Sequence, residues 1–267
     1  MKAKDLKNSI LQMAVEGKLV PQDPADEPAS ALLERIREER RKLVAEKKIK
    51  APKGGESVIY LASDGSRCEK LVDAKGRESE PVCIDEEIPF DVPDGWEWAR
   101  LGSLGFIERG SGIKRSEVTP DGVRCVRYGE LYTSYGRTFT NAISHTSEHV
   151  AASAHELVYG DVLVTLTGEN KPDIGKPLAY LGSERVVYGG DLAAIKQHGQ
   201  NPSYLALFLD SETGRSQKRE LATGDIIIHI SGEKLSSLLI PIPPLAEQQR
   251  IVAKVDELTA LANQLPR

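Results

Sequence analysis

Several places along the 267-residue sequence carry residue types that could do chemistry, and each departs from the pattern that chemistry needs. Residues 168–176 set two glycines before a lysine, as a phosphate-cradling loop does. The separation of Gly168 from Gly175 is too long, however, and Pro177 stands where a Ser or Thr would hold magnesium. Asp161, Glu169 and Lys171 have the residue types of a metal-dependent nuclease, in a pattern short enough to arise by chance. Asn201-Pro202-Ser203-Tyr204 is close to the Asn-Pro-Pro-Tyr element with which adenine methyltransferases hold a flipped base. It lacks the second proline and a glycine-rich cofactor loop, and reads more simply as a helix cap. His145, His149 and His155 have no further ligand at metal-site spacing. Cys68, Cys83 and Cys125 are odd in number and far apart, which fits reduced thiols and not a disulfide frame or a zinc site. The expectation is therefore no catalytic residue and no metal site.

What remains is recognition. Residues 109–137 hold Arg109, Lys114, Arg115, Arg124, Arg127 and Arg137 against Glu117, Asp121 and Glu130, a surplus of positive charge in a chain of formal net charge −5. Reading DNA needs side chains that reach base edges and contacts to phosphate that fix the register. Gly110-Ser111-Gly112 could bring backbone and the Ser111 hydroxyl close to a phosphate, while Tyr128, Tyr132 and Tyr135 offer flat faces and hydroxyls beside the arginines. A second polar loop, Asn170-Lys171-Pro172-Asp173, follows a strand-like run. The competing interpretation packs Tyr128 and Tyr132 into the core and leaves the arginines on an ordinary surface.

The elements that must position these residues follow from periodicity. Leu6, Ile10 and Met13 share a helical face that ends at Gly17, and a second helix begins near Asp26-Glu27-Pro28 with Leu32, Ile36 and Leu43 as its stripe. Residues 1–50 thus read as a helical arm. Residues 51–90 read as a linker with a β-hairpin, in which residues 57–61 and 69–72 flank Asp64-Gly65. Residues 91–243 mix short strands, such as 162–165 and 226–228, with a helix at 202–209. The expected fold class is α+β. Pro241, Pro243 and Pro244 introduce a last helix over 244–267, where Ile251, Val255, Leu258, Ala262 and Leu265 keep coiled-coil spacing. That seam is barely two heptads long and needs a partner helix, from this chain or another, so a homodimer through helices is one expectation.

Net acidity excludes a protein that coats nucleic acid by bulk charge; basic surface must be local, or a basic partner must supply it. No apolar run approaches the roughly 20 residues a membrane helix needs, and Met1-Lys2-Ala3-Lys4-Asp5 does not open a secretory signal, so a cytoplasmic protein is expected.

Val92-Pro93-Asp94-Gly95-Trp96-Glu97-Trp98-Ala99-Arg100-Leu101-Gly102 and Val158-Tyr159-Gly160-Asp161-Val162-Leu163-Val164-Thr165, followed by Gly168-Glu169 and Ile174-Gly175-Lys176, resemble the recognition domain of Type I restriction-modification specificity (S) subunits. Ile240-Pro241-Ile242-Pro243-Pro244-Leu245-Ala246-Glu247-Gln248-Gln249-Arg250-Ile251-Val252 is similar to that family's passage into its spacer helix. Lys18-Leu19-Val20-Pro21-Gln22-Asp23 and Glu27-Pro28-Ala29-Ser30 resemble the N-terminal arm of some members. The resemblance implies a non-catalytic subunit: a globular target-recognition domain, here 91–243, on long helices that form a coiled-coil-like spacer. Such a subunit reads half of a bipartite site in double-stranded DNA. Methylation with S-adenosylmethionine would belong to separate modification (M) subunits, and ATP- and Mg-dependent cleavage to restriction (R) subunits. Family members usually carry two recognition domains, so one set suggests a half-subunit. The alternative is an adapter or orphan half-subunit that binds partner subunits without reading DNA.

Overall fold

Val162-Leu163-Val164-Thr165 is apolar or β-branched at every position, the pattern of a strand covered on both faces. The computed structural model, which describes residues 3–52 and 54–264, buries all of it. This strand is central in a sheet ordered Phe106–Arg109, Leu192–Lys196, Val162–Thr165, Pro177–Tyr180, Thr138–Phe139. Pairing is antiparallel except between the last two strands. Strand alternation then divides the core. Val162 and Val164, with Ala179, Ala193 and Ile195, face a core shared with helices. Leu163, with Leu178, Leu192 and Ala194, faces the other way. There lies a second sheet, ordered Glu156–Leu157, Val186–Tyr188, Val123–Val126, Ser144–Thr146, Val118–Thr119. The result is a mixed helix and strand architecture in three layers: helices, central sheet, outer sheet.

The helical layer contains the first helix (Ala3–Val15), the helix Pro202–Asp210 and the terminal helix (Leu245–Ala262), which pack on one another. Residues 204–209 are buried on every side, because that helix lies between the sheet and the other two. The first helix buries Ile10, Leu11, Ala14 and Val15 while Met13 stays 44% exposed, so its apolar face is turned from the expected Leu6, Ile10, Met13 stripe. Gly17, at φ +70°, ends the run leading out of it, and a side chain there would strike the Pro93 ring.

The second helix (Ala29–Ala45) buries Leu32, Ile36 and Leu43 as expected from their spacing, and Leu33 with them. It also buries Arg40, whose Nη2 donates to the Gly102 carbonyl at 2.9 Å and whose Nε lies 3.4 Å from the Glu56 carboxylate. Both N-terminal helices contribute to the same core as the central sheet and the terminal helix, so residues 3–50 are built into the globule and do not project as a free arm. The hairpin pairs Glu56–Leu61 with Arg67–Val72, and Val82–Cys83 adds a third strand. Arg100 ties this small sheet to the main body through Glu69 at 2.7 Å and Glu87 at 2.9 Å.

One expectation is corrected and another is narrowed. Of residues 226–228, expected as a strand, only Ile228 joins one (Ile228–His229, paired with Thr167–Gly168), while Ile226 is 90% exposed. In the terminal helix the seam, expected to find a partner in this chain or another, is occupied from within the chain, and not by a second copy. Ile251 and Val255 are fully buried and Ala262 nearly so, with Leu258 packed on the same core against the layer that holds the first helix. An apolar stripe gains by burial against any apolar surface, and here the nearest is the chain's own. Leu265 lies outside the described residues. The terminal helix has 18 residues, about 27 Å of rise, and no longer spacer is present among the described residues.

Candidate nucleic-acid interface

One end of the central sheet brings together Arg109, Tyr128, Tyr132, Asn170 and Lys171 of the candidate recognition residues. Thr165, Leu192 and Arg109 lie side by side there, since Thr165 pairs with Leu192 and Arg109 with Ala193. From that end emerge the chain after Arg109, the 170–173 loop and the tip of the 223–229 hairpin. Tyr132 joins the first two candidate segments: its hydroxyl lies 2.9 Å from Thr165 Oγ1 and donates to the Asp173 carbonyl at 3.0 Å. Burial pushes that phenol well above its ordinary range. Tyr128 stacks at a tilt on Tyr132, with centroids 5.3 Å apart. Both tyrosines therefore brace the loops, although Tyr132 keeps an exposed flank. Tyr135 is structural: it packs on Phe139 at 5.0 Å, its hydroxyl accepts from the Ile143 amide at 2.9 Å, and burial pushes its pKa up to about 12.

The cations divide into two groups. Arg124 lies 3.3 Å from Glu184 and donates to the Ala142 carbonyl. Arg127 donates to buried Glu130 at 2.9 Å, and Arg137 reaches across to Asp256 of the terminal helix at 3.0 Å. Arg109 is exposed, with its Nε held at 2.8 Å by the Gly190 carbonyl. Lys114, Arg115 and Lys171 are exposed and make no ion pair among the described residues. Lys114 and Arg115 lead into the outer sheet's edge strand Val118–Thr119, and Lys171 sits in the loop beside Tyr132. The positive surplus of residues 109–137 thus reduces, after pairing, to Lys114, Arg115 and a tethered Arg109, and the second loop adds Lys171.

Other candidates resolve into architecture. Gly110 is needed for close packing, since a side chain there would meet the Gly189 carbonyl and Tyr188, whereas Gly112 faces open space. The Ser111 hydroxyl accepts from the His155 amide at 3.2 Å and lies 3.4 Å from the Ser153 carbonyl, so it is partly engaged. Asn170 caps its short turn by accepting from the Asp173 amide at 3.0 Å. Asn201 caps the helix Pro202–Asp210, and Tyr204 is buried with its hydroxyl on the Pro241 carbonyl. Asp161 is buried 2.7 Å from Lys196, away from Glu169 and Lys171, which are exposed. Ile226 and Ile227 were missed as surface residues. They ride a hairpin tip fixed by paired Thr223 and His229 amides, where Gly224 at φ +101° packs against the Ile227 carbonyl.

The motif residues converge elsewhere. Buried Glu247 accepts from Trp96 Nε1 at 2.9 Å and from Gln22 Nε2 at 3.2 Å, which ties together three of the sequence segments read as characteristic. Gln248 accepts from the Asn201 amide at 2.8 Å and donates to Gln200 at 2.7 Å, while Arg250 pairs with Asp26 at 2.6 Å. Residues 93–267 match the family described as "Type I restriction modification DNA specificity domain". The chain belongs to this family.

Over 279 residues it is 32% identical to the Type I restriction enzyme EcoAI specificity subunit of Escherichia coli, covering 97% of this chain and 40% of that protein. Over 276 residues it is 29% identical to the EcoEI specificity subunit of the same species, covering 97% and 41%. The chain therefore spans about 40% of the length of these curated relatives. A solved structure, the HsdS subunit from Thermoanaerobacter tengcongensis, is similar at a TM-score of 0.48 and 21% identity, over 88% of this chain and 49% of that one. The Glu247 cluster locks the terminal helix to the chain around Trp96 and Gln22.

Proposed function

We propose that this chain is the sequence-reading part of a Type I restriction-modification complex, without catalysis of its own, and that it recognises half of a bipartite site in double-stranded DNA. Membership of residues 93–267 in the specificity-domain family carries this conclusion. The exposed set at one end of the central sheet and on the adjoining outer-sheet edge supports it: Lys114, Arg115 and Lys171 for phosphates, with Arg109 and Tyr132 beside them. Modification and restriction subunits are the proposed partners. S-adenosylmethionine, ATP and Mg would be handled by those subunits, and the chain itself would work in the cytoplasm.

Assembly through helices remains part of the proposal in altered form. With Ile251 and Val255 enclosed, pairing with a second copy would use the exposed side of the terminal helix, where Leu261 is 52% exposed. A second function, an adapter that does not read DNA, draws support from the pairing of Arg124, Arg127 and Arg137 with carboxylates. Long-read sequencing of host DNA separates the two. Under the first, deleting the gene removes N6-methyladenine from one split motif; unchanged methylation contradicts it.

A further inference from the structure

Away from the loop face, the small three-stranded sheet and the main body enclose a groove of about 800 Å³. Its floor is apolar, formed by Leu71, Val82, Ile84, Leu221 and Leu239, and Val82 is 64% exposed to water on its edge strand. Its rim is acidic: Glu69, Glu86, Glu87 and Glu220 face one cation, Arg100. Arg100 is itself consumed by Glu69, Glu87 and the Ser237 carbonyl, so Glu86 and Glu220 keep no cation among the described residues.

This combination selects its occupant. Water-exposed Val82 and Leu71 gain by burial against an apolar surface, and the uncompensated carboxylates favour Lys and Arg while repelling phosphates. We infer that the groove docks a basic, apolar-faced peptide segment of a partner protein, and that duplex DNA is excluded from it. The helix Glu212–Leu221 connects this groove to the loop face: Gln217, Glu220 and Leu221 line the groove, while Lys218 of the same helix donates to the Gly175 carbonyl beneath the 170–173 loop. A docked segment would rest on the element that supports Lys171.

The inference extends the proposed function, and its test keeps the two apart. The full chain is titrated into a short fluorescein-labelled peptide with Leu on one helical face and Lys on the other, and anisotropy is read; a Glu-for-Lys peptide and labelled duplex DNA are run in parallel. Saturable binding of the Lys peptide is expected, with Glu86→Lys combined with Glu220→Lys, and separately Val82→Asp, each weakening it about tenfold. Val82→Asp should leave DNA binding unchanged, whereas the double Glu→Lys variant, which removes the repulsion, should bind DNA no more weakly than wild type. Binding that survives both variants, is matched by the Glu peptide, or is displaced by duplex DNA would overturn the inference, as would a peptide that does not bind. Dimerisation of the chain through this groove, seen as loss of a dimer in Val82→Asp by sedimentation, would overturn it in favour of a second copy. Loss of DNA binding by wild-type chain alone would instead count against the proposed function.

Discussion

The framework around Glu247 and the loop face around Lys171 are built on opposite terms. In the framework polar groups are paired around buried Glu247 and Gln248, with Trp96 and Gln22 on the first, Gln200 and Asn201 on the second, and Asp26 on half-buried Arg250. On the loop face Lys114, Arg115 and Lys171 are left in water. Satisfied buried polar groups specify one arrangement and are costly to alter, whereas exposed cations contribute little to folding and stay free for a phosphate. The buried pairs thus hold the fold, and the residues proposed to read the target are ones on which the fold hardly depends.

The largest expected effect breaks the framework. Val255→Asp places a charge in a fully buried site and should destabilise the chain by about 4 kcal/mol or more, so the substitution disrupts the fold itself and not only assembly. Trp96→Ala should cost about 3–5 kcal/mol through cavity formation and loss of the Glu247 contact. Leu261→Asp, on the exposed side of the same terminal helix, should change stability by less than about 0.5 kcal/mol. Thermal unfolding of the three variants checks the contrast.

A pH series sharpens it. Lys218 is fully buried between the framework and the loop face, its ammonium on the Gly175 carbonyl with Asp210, Arg215 and Lys176 nearby. Burial lowers its pKa from 10.5 to about 7. Between these values the unfolded chain binds more protons, so this residue makes stability rise with pH from about 7 to 10.5. Lys218→Met should therefore be more stable than wild type near and below neutrality, with the difference closing towards pH 10.5. Denaturant midpoints across that range measure it; a constant difference would contradict it.

Smaller effects are expected within the loop face. Arg127→Ala removes a donor from buried Glu130 and should destabilise by about 1.5 kcal/mol. Lys114→Ala, Arg115→Ala and Lys171→Ala should each stay within about 0.5 kcal/mol of wild type in chemical denaturation. Equal losses from the paired and the unpaired cations would erase the distinction between them.

Much of this was legible in the sequence where periodicity had room to act. The stripe Leu32, Ile36, Leu43, the turn at Asp64-Gly65 and the doubly covered strand at 162–165 all appear where expected. The outer sheet was not legible, because strands of two to four residues, such as Val118–Thr119 and Ser144–Thr146, are too short to show alternation. Coiled-coil spacing in the terminal helix foretold a partner but not which one, since the stripe fits the first helix of this chain as well as it would another molecule's. At the candidate site, residue types marked segments that the structure sorts into paired and unpaired cations. Pairing did not show: nothing in the sequence distinguishes Arg137, held by Asp256, from Arg115, which is free of any ion pair among the described residues.

The salt dependence of DNA binding tests the central claim most directly. The chain, together with its modification subunits, is titrated with duplex DNA at several salt concentrations, as wild type and as the combined variant Lys114→Ala, Arg115→Ala, Lys171→Ala. If these side chains meet phosphates, the slope of log K against log salt falls by about 3 in the variant, near one unit per cation, with the fold unchanged. An unchanged slope and affinity would contradict the assignment of the loop face as the DNA reader.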